Sequence, residues 1–161
     1  MAKILVVYYS FEGSTRLIAE RIAQETRADL LELKPKKDLT SKGFSKYVWG
    51  GKQATMKEKP ELLPLEKDPV NYDLIYLGTP VWAFTFTPAI RSFLANIKLI
   101  NKKIALFCCY DGTAGKTMAA LREELRGNEV VGELTLALVS RKPEENLEKM
   151  RQWVQEIQSK I

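Results

Sequence analysis

The sequence predicts a three-layer α/β sandwich, in which a doubly wound, five-stranded parallel sheet carries helices on both faces. Three observations predict it. Four runs, Ile4 to Tyr8, Leu74 to Leu77, Ile104 to Cys109 and Leu134 to Val139, are nearly continuous in apolar and β-branched residues, as strands covered on both faces are. Between them lie stretches whose apolar residues recur three and four apart, the mark of one-sided helices. The two kinds of element alternate, and alternation calls for right-handed crossovers that lay helices over both sides of parallel strands.

Taken in order, Ile4 to Tyr8 is the first strand, and Leu17, Ile18 and Ile22 give the following helix its apolar stripe. Asp29-Leu30-Leu31-Glu32-Leu33 is less uniformly apolar and reads as an edge strand. Pro35 to Tyr72 is long for a connection, and its Phe44 to Met56 portion has helical character interrupted by Gly50-Gly51. After the strand at Leu74 to Leu77, Ala89, Ile90, Phe93, Leu94 and Ile97 define a helix with Thr87 placed to cap it. Pro88 stands at its first position, where a missing N–H is harmless. Met118, Leu121 and Leu125 form the next helix, which stops at Gly127-Asn128. Leu147, Met150, Val154, Ile157 and Ile161 form the last, opening near Pro143-Glu144-Glu145, whose acids suit a helix N-terminus.

The 161 residues suit one domain, 1–161, and 45% hydrophobic with 28% charged residues is ordinary globular composition. No apolar run reaches the ~18 residues of a membrane-spanning helix, and the N-terminus lacks a small-residue cleavage site. A cytoplasmic location is expected. Cys108 and Cys109 are adjacent in a strand and so point to opposite faces, which predicts free thiols rather than a mutual disulfide. There is no histidine and no Cys-x-x-Cys pair, so no metal site is expected, and the commonest neutral-pH acid–base group is missing. An enzyme built on this chain needs its chemistry from a cofactor. The net charge of +5 is concentrated between Lys34 and Lys59, where eight lysines face only Asp38 and Glu58. That segment is either a solvated connection or a docking face for an acidic partner.

Ligands of open parallel sheets sit beyond the carboxyl ends of the strands, which directs attention to three loops. Ser10-Phe11-Glu12-Gly13-Ser14-Thr15-Arg16 leads from a buried strand into a helix. Its hydroxyls and free amides suit a phosphate, although such a start also serves as an ordinary cap. Thr79-Pro80-Val81-Trp82-Ala83-Phe84-Thr85-Phe86-Thr87-Pro88 holds three aromatics. Exposed rings need a cover; a planar ligand stacked on Trp82 is one, and folding of Phe84 and Phe86 back onto the core is the other. Cys109-Tyr110-Asp111-Gly112-Thr113-Ala114-Gly115-Lys116-Thr117 has a superficial likeness to a nucleotide phosphate loop, but two residues separate its glycines where that pattern needs four. Gly112 and Gly115 are instead expected to let backbone amides approach a flat polar ligand edge.

In order and spacing, these loops resemble those of the flavodoxin family. Ser10 to Thr15, Gly78-Thr79-Pro80-Val81-Trp82 and Cys108-Cys109-Tyr110-Asp111-Gly112 carry the match, which covers essentially the whole chain and is of the short-chain type. The resemblance implies strand order 2-1-3-4-5 and one bound FMN. It implies that Ser10, Phe11, Glu12, Gly13, Ser14 and Thr15 hold the phosphate. Thr79, Pro80, Val81, Trp82, Ala83 and Phe84 then contribute a ring face and backbone contacts near the flavin N5 edge, and Cys109, Tyr110, Asp111, Gly112 and Gly115 line the pyrimidine side. Two positions depart from the pattern. Glu12 stands where a hydroxyl residue is common and is expected to turn outward while its N–H still donates. Ala83 stands where glycine is common; if a positive φ is required there, alanine costs about 1–2 kcal/mol.

The function implied is a low-potential one- or two-electron transfer protein, with an FMN-dependent NAD(P)H oxidoreductase as the alternative and a flavin-free interaction module as a further one. An acidic redox partner docking near Lys34–Lys59 fits the charge. Nucleic-acid binding has only the lysine cluster behind it and is set aside, as is a phosphate-accepting receiver, because the first and third strands end in Tyr8-Tyr9-Ser10 and Gly78-Thr79-Pro80 without carboxylates.

Overall fold

The computed structural model describes residues 2–36 and 59–161. The helical expectation at Phe44 to Met56, and most of the lysine-rich segment, lie outside the described residues. The elements run β1 (Ile4–Tyr8), α1 (Ser14–Thr26), β2 (Asp29–Glu32), β3 (Leu74–Pro80), α2 (Pro88–Asn96), β4 (Lys103–Tyr110), α3 (Thr117–Glu124), β5 (Glu129–Ala137) and α4 (Pro143–Ser159). A one-turn 3₁₀ helix, Pro69–Asn71, precedes β3.

All five strands pair in parallel in the order β2-β1-β3-β4-β5. Strand alternation divides the core into two halves. Leu5, Val7, Ile75, Leu77, Ile104 and Leu106 face one side and pack with Ile90 and Phe93 of α2 and Leu121 of α3. Val6, Tyr8, Leu74, Tyr76, Ala105 and Phe107 face the other and pack with Ile18 and Ile22 of α1 and Met150, Trp153 and Val154 of α4. Cys109 shares this second face, and both cysteines are buried free thiols.

Two elements, β5 and α2, differ from expectation for identifiable reasons. β5 begins at Glu129, earlier than the apolar run Leu134 to Val139, and ends at Ala137. It is a sheet edge with alternating burial, so an apolar-run criterion finds only part of it; a register shift opposite Ile104 and Ala105 adds one unpaired residue. The short β2 is the other edge, as its composition indicated. Pro88 opens α2 at its first position, but the Thr87 hydroxyl makes no cap bond; it lies 3.3 Å from the Thr79 hydroxyl instead. α3 stops where expected: Gly127 is left-handed (φ 92°), and the Asn128 side-chain amide donates to the carbonyls of Leu125 (3.0 Å) and Leu99 (2.9 Å). Among the described residues, no helix is long and apolar enough to cross a membrane.

Candidate functional site

β1, β3 and β4 are the central strands, and the loops at their carboxyl ends enclose a cleft of about 360 Å³. Backbone bonds carry the sheet pattern into those loops. The Tyr9 N–H donates to Gly78 (3.2 Å), Val81 to Cys109 (3.1 Å) and Leu138 to Tyr110 (2.9 Å).

The first loop is set by Gly13, whose φ of 105° is one that L-residues rarely adopt. Its N–H donates to the Ser10 Oγ at 3.2 Å, and its carbonyl accepts from Leu17 at 3.0 Å, the first bond of α1. No side chain caps α1, so the amides of its first turn face the cleft end of the helix with their partial positive charge uncovered by a cap. Ser10, Phe11, Glu12, Ser14 and Thr15 line the cleft. Arg16 does not line it. Its guanidinium pairs with Glu32 at the end of β2, where the Tyr8 hydroxyl also donates (3.4 Å). Thr15 is buried, and burial pushes the Cys109 thiol up to about 12.

The second loop is held at its base by Thr79. This hydroxyl donates to the Pro80 carbonyl (2.7 Å) and accepts from the Thr87 N–H (3.2 Å), joining the two ends of the loop. Thr79 is fully buried and outside the cleft. Pro80, Val81, Trp82 and Ala83 line the cleft. Trp82 meets Tyr9 and Phe11 edge-on at 5.7 and 5.8 Å and is 9% exposed, so protein rings cover most of it. Phe86 folds into the core beneath Arg91, whose guanidinium lies 4.5 Å from the ring centroid. Phe84 does the opposite: it is 65% exposed at the tip of the turn and does not line the cleft. Ala83 does have a positive φ, 49°.

From the third loop come Cys109, Tyr110, Asp111, Gly112 and Thr113. Gly115 was expected to approach a ligand; the structure brings it against Phe84, where an added Cβ would stand 2.5 Å from the Phe84 carbonyl oxygen. Two lining residues were not anticipated. Thr113 sits between the loop glycines, and Val139, read from sequence as the end of a strand, lies just beyond β5 with its side chain buried against the cleft. Among the described residues that line the cleft there is no lysine or arginine, and the carboxylates are Glu12 and Asp111.

The description "Flavodoxin" belongs to the family model that matches residues 3–157. The chain belongs to the flavodoxin family. Among solved structures, a flavoprotein of Lactobacillus acidophilus in complex with FMN is 28% identical, with a TM-score of 0.72 over 95% of this chain and 99% of that one. The oxidised flavodoxin 1 of Bacillus cereus (23% identical, TM-score 0.61, 99% of each chain) and a flavodoxin, WrbA-like protein of Agrobacterium tumefaciens (17%, 0.63, 99% of each) share the flavodoxin fold. A search of curated proteins finds no match to this chain.

Proposed function

We propose that the cleft binds one FMN and that this flavodoxin-family protein is an electron carrier. The observation that carries the reading is the pairing of an uncapped helix N-terminus with an adjoining cleft lined partly by rings. The α1 amides, the Gly13 turn and the Ser10 and Ser14 hydroxyls offer hydrogen-bond donors to a phosphate. Trp82, Tyr110, Pro80 and Val81 give the cleft a mainly apolar lining beside the loop backbone, which suits an isoalloxazine. Among the described residues the donor set fits FMN: helix amides and hydroxyls offer the phosphate hydrogen bonds, while Arg16 pairs with Glu32. When bound, FMN supplies the electron-transfer chemistry. The chain's own part is to anchor, orient and shield it. Burial keeps the Cys109 thiol protonated, and no histidine is available as an acid or base; the chain thus adds no thiolate or imidazole chemistry to the flavin's own, which is all that a carrier needs.

The experiment is to mix the protein with excess FMN, desalt it and record the visible spectrum. Flavin bands at about one FMN per chain support the reading, and little NADPH oxidation without a separate reductase supports the carrier. Rapid NADPH oxidation by the holoprotein alone would make it an FMN-dependent NAD(P)H oxidoreductase. A colourless protein that leaves FMN fluorescence unquenched would leave the flavin-free interaction module. For the partner we propose an acidic redox protein docking near Lys34–Lys59, which requires electron-transfer rates that fall with added salt. The buried free thiols suit a reducing compartment such as the cytoplasm.

A further inference from the structure

The second and third loops of the cleft meet where Gly115 touches Phe84. The turn from Trp82 to Thr85 closes on itself through two backbone bonds, Trp82 N–H to the Thr85 carbonyl (3.0 Å) and Thr85 N–H to the Trp82 carbonyl (3.1 Å). Both central residues are left-handed, Ala83 at φ 49° and Phe84 at φ 67°. That is the φ pattern of a type I′ turn, which Asn and Gly dominate because a Cβ is penalised at both positions. Neither residue here is of that kind, so a tertiary contact has to hold the turn.

The contact is on the third loop. Gly115 is itself left-handed (φ 56°), and the next residue, Lys116, donates its N–H to the Phe84 carbonyl at 2.7 Å. The approach is possible only without a side chain at 115. An added Cβ would lie 2.5 Å from the Phe84 oxygen and 2.7 Å from the Phe84 Cβ, so backbone would have to move. The third loop is braced behind this contact: the Gly115 N–H donates to the Thr113 hydroxyl (3.1 Å), and the Thr117 hydroxyl donates to the Ala114 carbonyl (2.7 Å).

We infer that Gly115 is a positioning residue: its missing side chain lets the third loop latch the Phe84 carbonyl, and this latch holds Ala83 and Phe84 in the left-handed turn that faces the cofactor. The inference rests on the FMN reading for its consequence, because Ala83 and Trp82 line the cleft while Gly115 and Phe84 do not. Gly115 acts on the flavin through the turn, without touching it.

The test uses the full chain with and without FMN, comparing wild type, Gly115→Ala, Ala83→Gly and the double variant. Gly115→Ala is expected to weaken FMN binding about tenfold, to shift the absorption and midpoint potential of the bound flavin, and to speed amide exchange of Thr85 and Lys116 in the FMN-free protein. Ala83→Gly alone is measured as the reference for the double variant, because Ala83 itself lines the cleft. In the double variant Ala83→Gly restores most of the lost affinity, since glycine holds a positive φ without a latch. Wild-type affinity and exchange in Gly115→Ala would overturn the inference, and so would a loss that Ala83→Gly fails to rescue. Failure of the wild type to bind FMN would instead overturn the functional reading. The exchange rates at Thr85 and Lys116 would still decide the latch.

Discussion

The first and second loops of the cleft both pass through left-handed backbone, and they reach it by opposite means. In the first, Gly13 occupies φ 105° with open space around the position of its absent Cβ, so residue type alone permits the conformation. In the second, Ala83 and Phe84 occupy it against their own steric preference, and the Thr79 hydroxyl at the base and the Lys116 N–H at the tip hold them there. The first loop is preset by chemistry local to one residue. The second depends on the rest of the fold, which makes it the more sensitive to changes at a distance.

The contrast breaks most visibly at Gly13. Gly13→Ala meets no steric neighbour, so its cost is conformational alone, about 1–2 kcal/mol, and FMN affinity is expected to fall about tenfold or more. Fluorescence titration checks it; unchanged affinity would mean that the helix N-terminus is not preset by glycine. In the second loop, Thr79→Val keeps shape but leaves the buried Thr87 N–H without its acceptor. A loss of about 1–3 kcal/mol in denaturant unfolding is expected, together with weaker FMN binding although Thr79 lies outside the cleft.

A smaller effect concerns Cys108 and Cys109, both pushed by burial from 9.0 to about 12. Their folded pKa values lie above the unfolded one, so this stabilisation is complete below pH 9 and is lost as pH rises from there toward 12. Thermal melts at stepped pH should show the midpoint falling through that window, and Cys109→Ser should flatten the fall. The smallest effect is at the cleft rim. Glu12→Gln removes an exposed carboxylate beside the proposed phosphate site and should tighten FMN about two- to fivefold at low ionic strength, with the gain vanishing in high salt.

Much of this was legible in the sequence because it depends on local pattern. Fully covered strands announce themselves as apolar runs, which is why β1 is found at its true bounds, β4 to within one residue at each end and β3 at its start but not through Gly78, Thr79 and Pro80, while the half-exposed β5 is displaced. The loops at the strand ends follow from topology, and most of the residues singled out do line one cleft. What was not legible depends on contacts between segments distant in the chain. Gly115 reads as a ligand glycine until Phe84 is seen above it. Thr87 reads as a helix cap until Thr79 is seen beside it. Val139 reads as strand until β5 is seen to end at Ala137, and Phe84 and Phe86, near neighbours in one loop, take opposite fates that composition does not separate.

The strand ladders that run on into the loops at Tyr9, Val81 and Leu138 bear on how quickly the site can be filled. Because the floor of the cleft is still sheet, its amides should exchange with solvent as slowly as those of the strand interiors, and little ordering remains to be done when a ligand arrives. Loading should then be a single bimolecular event whose rate scales with ligand concentration and shows no plateau from a prior opening step.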